Sequence, residues 1–230
     1  MGVHKREEVT YFQVGANGDI RLTVPEGTAG SVRREYEDRE TKEVKVKYEL
    51  IYTDIDGMIG DITIMSGKFG DNLIIPLKDT TTGEVLCLSL GVTSNFGEDF
   101  MKKMPNIDYT KPVKLIPYSF TTDKGKTKKG ITIYQDSIKI SDHFHDAQGI
   151  NTNGLPVPEG DTKKYTKDDW KIYYLTARKF LINYNKEKGF IKDKAVAAAG
   201  TPLVVSDSPS VLPDYEDAIV DDIAGEEETF

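Results

Sequence analysis

The residues best suited to chemistry lie between positions 112 and 135, where rings and lysines alternate along two short apolar runs. In Pro112 to Phe120, turning Val113 and Leu115 inward puts Lys114, Ile116, Tyr118 and Phe120 together on the other side of an extended strand. In Gly130 to Gln135, placing Ile131 and Ile133 in the core leaves Thr132 and Tyr134 on that same side. Between the runs, Asp123-Lys124-Gly125-Lys126-Thr127-Lys128-Lys129 reads as a hairpin tip whose Lys124, Lys126, Lys128 and Lys129 extend a positive track. Unpaired bases stack on exposed rings for about 1–3 kcal/mol each while lysines neutralise phosphates, so this combination suits single-stranded nucleic acid. The same letters also fit rings packed inside the protein and lysines that only keep a tip solvated. Exposure of Tyr118, Phe120 and Tyr134 decides between the two.

Other candidates are weaker. Lys45 and Lys47 share the outward side of a second strand, and Lys68-Phe69 sits between Gly67 and Gly70, where a turn presents a ring and a charge together. Lys171, Arg178 and Lys179 project from a helix whose aromatics stand at core spacing. His143-Phe144-His145 offers two imidazoles but no third ligand at a readable spacing, and Asp54-Ile55-Asp56-Gly57 is better explained as a hairpin turn than as a cation site. No phosphate-binding glycine loop, nucleophile elbow or His-Glu-x-x-His pattern occurs, so the expectation is a non-enzymatic protein with no cofactor and no metal.

The elements that must hold these residues follow from hydrophobic period. Val9 to Val14 and Ile20 to Val24 bracket an Asn-Gly turn and read as an N-terminal hairpin. Val44 to Tyr52, Met58 to Met65, Asn72 to Leu77 and Glu84 to Val92 read as strands, then Ser94 to Met104 as a short helix stopped by Pro105. The two ring-bearing strands follow, with Ser137 to Ser141 continuing the second arm. Gln148 to Asp161 is a Gly-, Asn- and Pro-rich connector, and Thr166 to Lys188 one long amphipathic helix capped by Thr166. The predicted class is mainly β: an OB-fold-like five-stranded barrel with an extra N-terminal hairpin, a short inserted helix and a long C-terminal amphipathic helix.

With 38% hydrophobic and 30% charged residues over 230 positions, the chain can bury one core, and no apolar run predicts a signal peptide or membrane span. The net charge of −8 is unevenly placed. Residues 195–230 carry nine carboxylates and no lysine or arginine, whereas residues 102–139 hold nine lysines against Asp108, Asp123 and Asp136, a local net of +6. Residues 163–194 are again +6. The domain reading is a nucleic-acid-binding unit over 1–194 and a disordered acidic tail over 195–230, where apolar surface is too scarce to offset ordering entropy.

The tail carries Asp221, Asp222, Ile223, Glu226, Glu227, Glu228 and a terminal Phe230. In this pattern, joined to a β-rich basic body, the chain resembles the replicative single-stranded DNA-binding proteins, particularly those of bacteriophages. Six residues, Ala224 to Thr229, separate Asp221-Asp222-Ile223 from Phe230, and no proline precedes Phe230, unlike the bacterial tip. The resemblance implies a protein that coats single-stranded DNA with little sequence preference during replication, recombination or repair. It further implies that the tail recruits a polymerase, helicase or primase and competes with DNA for the basic groove. A viral protein of the host cytoplasm, with no membrane partner and with homo-oligomerisation left open, is the corresponding expectation. The rival classes are a β-rich structural or virion-associated protein and a metal-dependent nuclease using Asp54, Asp56, His143 and His145.

Overall fold

The computed structural model describes residues 9–38, 41–67 and 70–193; Lys68, Phe69 and the tail residues Asp221, Asp222, Ile223, Glu226, Glu227, Glu228 and Phe230 lie outside them. The described chain is mainly β, with a 12-stranded mixed sheet and two α-helices. The strands before the first helix are β1 (Thr10–Val14), β2 (Ile20–Val24), β3 (Val32–Glu37), β4 (Val44–Tyr52), β5 (Ile55–Ile59), β6 (Ile62–Gly67), β7 (Gly70–Lys78) and β8 (Val85–Gly91). Then come α1 (Asn95–Lys103), β9 (Val113–Thr121), β10 (Thr127–Gln135), β11 (Ile138–Lys139), α2 (Lys167–Glu187) and β12 (Ile191–Lys192). No helix among the described residues is long and apolar enough to cross a membrane.

Across the sheet the order is β11-β10-β9-β5-β7-β8-β1-β2-β4-β3, with β6 alongside β7 and β12 alongside β6. The run β9-β5-β7-β8 is a Greek key, in which three antiparallel strands are followed by a fourth that returns beside the first. The expected single strand from Met58 to Met65 is two strands. Ile59 pairs with Leu77 but Thr63 with Ile74, so the β5–β6 side holds one extra residue against β7, the signature of a bulge. The expected continuation over Ser137 to Ser141 also differs: Asp136 and Ser137 adopt φ of 50° and 65°, a tight reversal, and β11 folds back antiparallel onto β10.

The sheet is not closed. β8 spends its second edge on β1, which runs parallel to it from Thr10 opposite Leu86 to Gln13 opposite Ser89. On β10 the Ile131 N–H donates to Asp99 Oδ2 at 2.7 Å, and Lys103 Nζ donates to the Ile131 carbonyl at 2.6 Å while lying 2.7 Å from Asp99. Thus α1 satisfies the Ile131 backbone groups, and β11 pairs with the end of β10, on the edge where a closing strand could have been met. The β1–β2 turn nevertheless reaches across to β9. Gly18, at φ 79°, packs so tightly that a Cβ there would lie 2.6–2.7 Å from the Tyr118 and Ser119 backbone.

The helices cover the core side. Ser94 caps α1 by accepting from Gly97 N–H at 3.1 Å, and buried Phe96, Phe100 and Met101 face the sheet's Leu73, Ile75, Leu88 and Leu90. Thr166 and Asp169 form the reciprocal capping box of α2. Leu181 is fully buried, and Phe180 and Tyr184 pack edge-on against Phe144, which is itself sealed. The α2 aromatics therefore serve packing, as their spacing predicts.

Candidate nucleic-acid interface

The β9–β10 hairpin carries the ring-and-lysine face. Val113, Leu115, Ile131 and Ile133 are buried, which fixes the alternation and turns their neighbours outward. Register sets Tyr134 opposite Lys114, Thr132 opposite Ile116, Gly130 opposite Tyr118 and Lys128 opposite Phe120. These eight side-chain positions share one face. Phe120 is 53% exposed, and Tyr118 and Tyr134 are half-buried, so none of the three rings is sealed inside. Tyr118 and Phe120 lie 5.8 Å apart between ring centroids with planes 34° from parallel.

Gly130 is what lets Tyr118 lie flat. A Cβ at Gly130 would sit 2.6 Å from the Tyr118 hydroxyl and would also strike Asp99, so the phenol crosses the strand where a side chain is missing. Burial, and then the nearby Asp99 charge, raise the Tyr118 hydroxyl above its ordinary pKa, and the ring stays neutral. Tyr118 is thereby a fixed platform, and Phe120 the exposed ring beside it.

The cations sort into those on this face and those used elsewhere. Lys114, about half exposed, lies 3.1 Å from Asp54, and Asp56 stands opposite it on β5. Lys128 is exposed beside Phe120. Lys129, expected to share its track, points to the other side of the hairpin opposite Ser119. At the tip Lys124 is exposed and Lys126 half-buried, around a turn closed by Gly125 N–H to Thr122 O at 2.9 Å. Sequence reasoning missed Lys139. The reversal after β10 sets it opposite Tyr134, so that ring stands between Lys139 on one side and Lys114 on the other. A two-residue Asp136-Ser137 turn was the available signal.

Lys45 and Lys47 do not belong to this face. Strand β4 shows the opposite polarity to the one expected: Lys47 and Glu49 are only 9% and 3% exposed, whereas Val44 is 69% exposed. Glu49 draws in Lys47 of its own strand at 2.6 Å, Arg21 of β2 at 3.4 Å and Arg34 of β3 at 3.6 Å. A buried carboxylate needs such company, which is why the lysine is not left in water. Lys45 lies 2.5 Å from Asp38. Similarly, Lys102 and Lys103 pair with Glu98 and Asp99 at 2.7 Å each, so the +6 of residues 102–139 is overstated by a window that starts after those acids.

Arg178 is also structural. It is buried, donates to Glu98 at 3.1 Å and lies over Tyr174, whereas Lys171 and Lys179 remain exposed. His143 bridges Asn106 at 3.1 Å and the Tyr184 hydroxyl at 2.9 Å, and His145 meets Asp142 at 2.9 Å. The two imidazoles thus tie the segment after β11 to α2 and to its own turn. Among the described residues, no three His, Cys, Asp or Glu side chains gather as a metal site. Comparison with family models, curated proteins and solved structures finds no match to this chain.

Proposed function

We propose that this chain is a non-enzymatic single-stranded DNA-binding protein that holds the strand along the outer face of the β9–β10 hairpin. The observation that carries the reading is a row of accessible rings, Tyr134, Tyr118 and Phe120, interleaved with Lys139, Lys114 and Lys128 on one side of one hairpin. Lys114 to Phe120 spans six residue steps, about 20 Å, long enough for several nucleotides to stack and pair their phosphates with the flanking ammonium groups. Duplex DNA conceals its base faces, so a surface built on stacking favours unpaired strands.

The connectivity supports the same reading. Strands β5, β7 and β8, then α1 and the returning β9–β10 hairpin, form a Greek key, and the OB-fold, whose strand face and loops bind oligonucleotides, is likewise a Greek-key barrel. On this proposal the present fold is an opened relative, in which β1 and α1 occupy the two edges that would otherwise close the barrel. The anionic segment 195–230 serves as the site for replication proteins and as a competitor for the lysines, as the resemblance implies. Fluorescence polarisation with oligo-dT, oligo-U and duplex DNA at two salt concentrations tests the reading. Tight binding of oligo-dT with a clear salt slope and weak duplex binding is the expected result. Equal affinity for the duplex, or no binding, refutes it.

A further inference from the structure

β3 is the last strand of the sheet, and among the described residues its outer edge pairs with nothing. Its inner ladder to β4 runs without a bulge from Val32 opposite Glu49 to Glu37 opposite Val44. Asp38 N–H donates inward to Glu43 O at 2.8 Å, so the alternation of an antiparallel ladder turns the backbone groups of Arg33, Glu35 and Glu37 outward. Open edges in natural proteins are blunted by charged side chains, proline or a bulge. Val-Arg-Arg-Glu-Tyr-Glu has no proline and no bulge, and its charges, which repel a strand of one sign, are of both signs, basic first and acidic after, so an antiparallel copy of the same strand can neutralise them.

We propose that β3 is a homotypic interface, pairing antiparallel with β3 of a second copy of this chain about a two-fold axis normal to the sheet. Such an axis pairs only residues whose side chains share a face, and two registers overlap the strands equally. One opposes Glu35 to itself. The other opposes Arg34, which already has Glu49 beside it, to itself and sets Arg33 opposite Glu35 of the second copy, twice by symmetry, so the second is the register chosen. Arg33 and Glu35 now hold each other at 2.6 Å along their own strand, and both are half exposed, so the contact needs only an exchange of partners. On the other face Val32, 51% exposed, meets Tyr36 of the second copy. The two Arg34 side chains meet near the axis, each already 3.6 Å from its own Glu49. The self-complementary order of charges is what selects a second copy over a foreign strand. The inference is independent of the hairpin face, which lies on other strands.

The test is sedimentation velocity of the full chain from about 1 to about 100 µM, since a short edge of this kind fits micromolar association. A reversible monomer–dimer equilibrium is expected. Arg33→Glu and Glu35→Arg, both on exposed side chains, should each weaken it by at least about tenfold, because like charges then face each other. An equimolar mixture of the two variants restores a heterodimer, and the double variant R33E/E35R restores a homodimer. A wild-type chain that stays monomeric throughout, single variants that dimerise as well as wild type, or a mixture that fails to recover each overturns the proposal. Circular dichroism melts establish that the single variants are folded.

Discussion

Replacing Phe120 by alanine isolates the stacking contribution of the hairpin face. The ring is 53% exposed, and its one close aromatic neighbour is Tyr118 at 5.8 Å, so its removal opens no cavity and costs the fold little. A base stacked on it is worth about 1–3 kcal/mol, and because only the outer half of the ring is free, the lower part of that range applies, about 1–2 kcal/mol. That is a loss of about 5- to 30-fold in affinity for oligo-dT. The slope of log affinity against log salt stays unchanged, since no phosphate contact is removed. Lys128→Ala, one residue across the ladder, gives the complementary result, a slope shallower by about 0.7 for one contact on a single strand. Polarisation titrations at four salt concentrations, with thermal melts alongside, separate these terms. Wild-type affinity in Phe120→Ala, or a melting temperature that falls in step with affinity, would falsify the stacking surface.

Four further outcomes follow from the same geometry. Lys47→Met should lower stability by about 1–3 kcal/mol in urea titrations, because buried Glu49 loses its closest partner, while oligo-dT affinity changes by less than about twofold; a pure binding defect would return Lys47 to the interface. Gly18→Ala, which forces a side chain into the Tyr118–Ser119 backbone at positive φ, should cost about 2–4 kcal/mol, and a cost under about 1 kcal/mol would mean that the turn gives way easily. Burial pushes the Glu98 carboxyl up, but Lys102 and Arg178 beside it outweigh burial and hold it below the usual range; its contribution is complete above the unfolded carboxylate pKa of about 4.3 and is lost as pH falls through the lower folded value. Glu98→Gln should therefore flatten the acid side of the melting-temperature profile, and an unchanged profile contradicts this. Removal of residues 207–230 should raise affinity for oligo-dT at low salt, with an unchanged or weaker affinity counting against the competing tail.

Legibility in the sequence tracked how local the deciding interaction was. The hairpin face was readable because Val113, Leu115, Ile131 and Ile133 alternate strictly with polar and aromatic neighbours, and one buried side dictates the other. The caps of α1 and α2 were readable because Ser94, Thr166 and Asp169 act within a single turn. Strand β3 escaped notice because Val-Arg-Arg-Glu-Tyr-Glu buries almost nothing and so has no hydrophobic period. Lys139 is not legible because its place beside Tyr134 depends on a chain reversal, whereas the period over Ser137 to Ser141 reads as a continued strand.

Composition and period suffice to say that this chain is mainly β, that one helix follows the strand ending near Val92 and another follows the ring-bearing hairpin, and that Tyr118, Phe120 and Lys114 share a side. Those are consequences of backbone geometry acting over a few residues. That Lys47 is enclosed with Glu49, that Lys103 meets the β10 backbone and that the sheet stays open are matters of tertiary packing. Lys47 and Glu49 are close in the chain, but they are enclosed because Arg21 and Arg34 arrive from other strands, and Lys103 reaches Ile131 across 28 residues; a charged side chain's fate depends on whether an opposite charge reaches it before water is excluded.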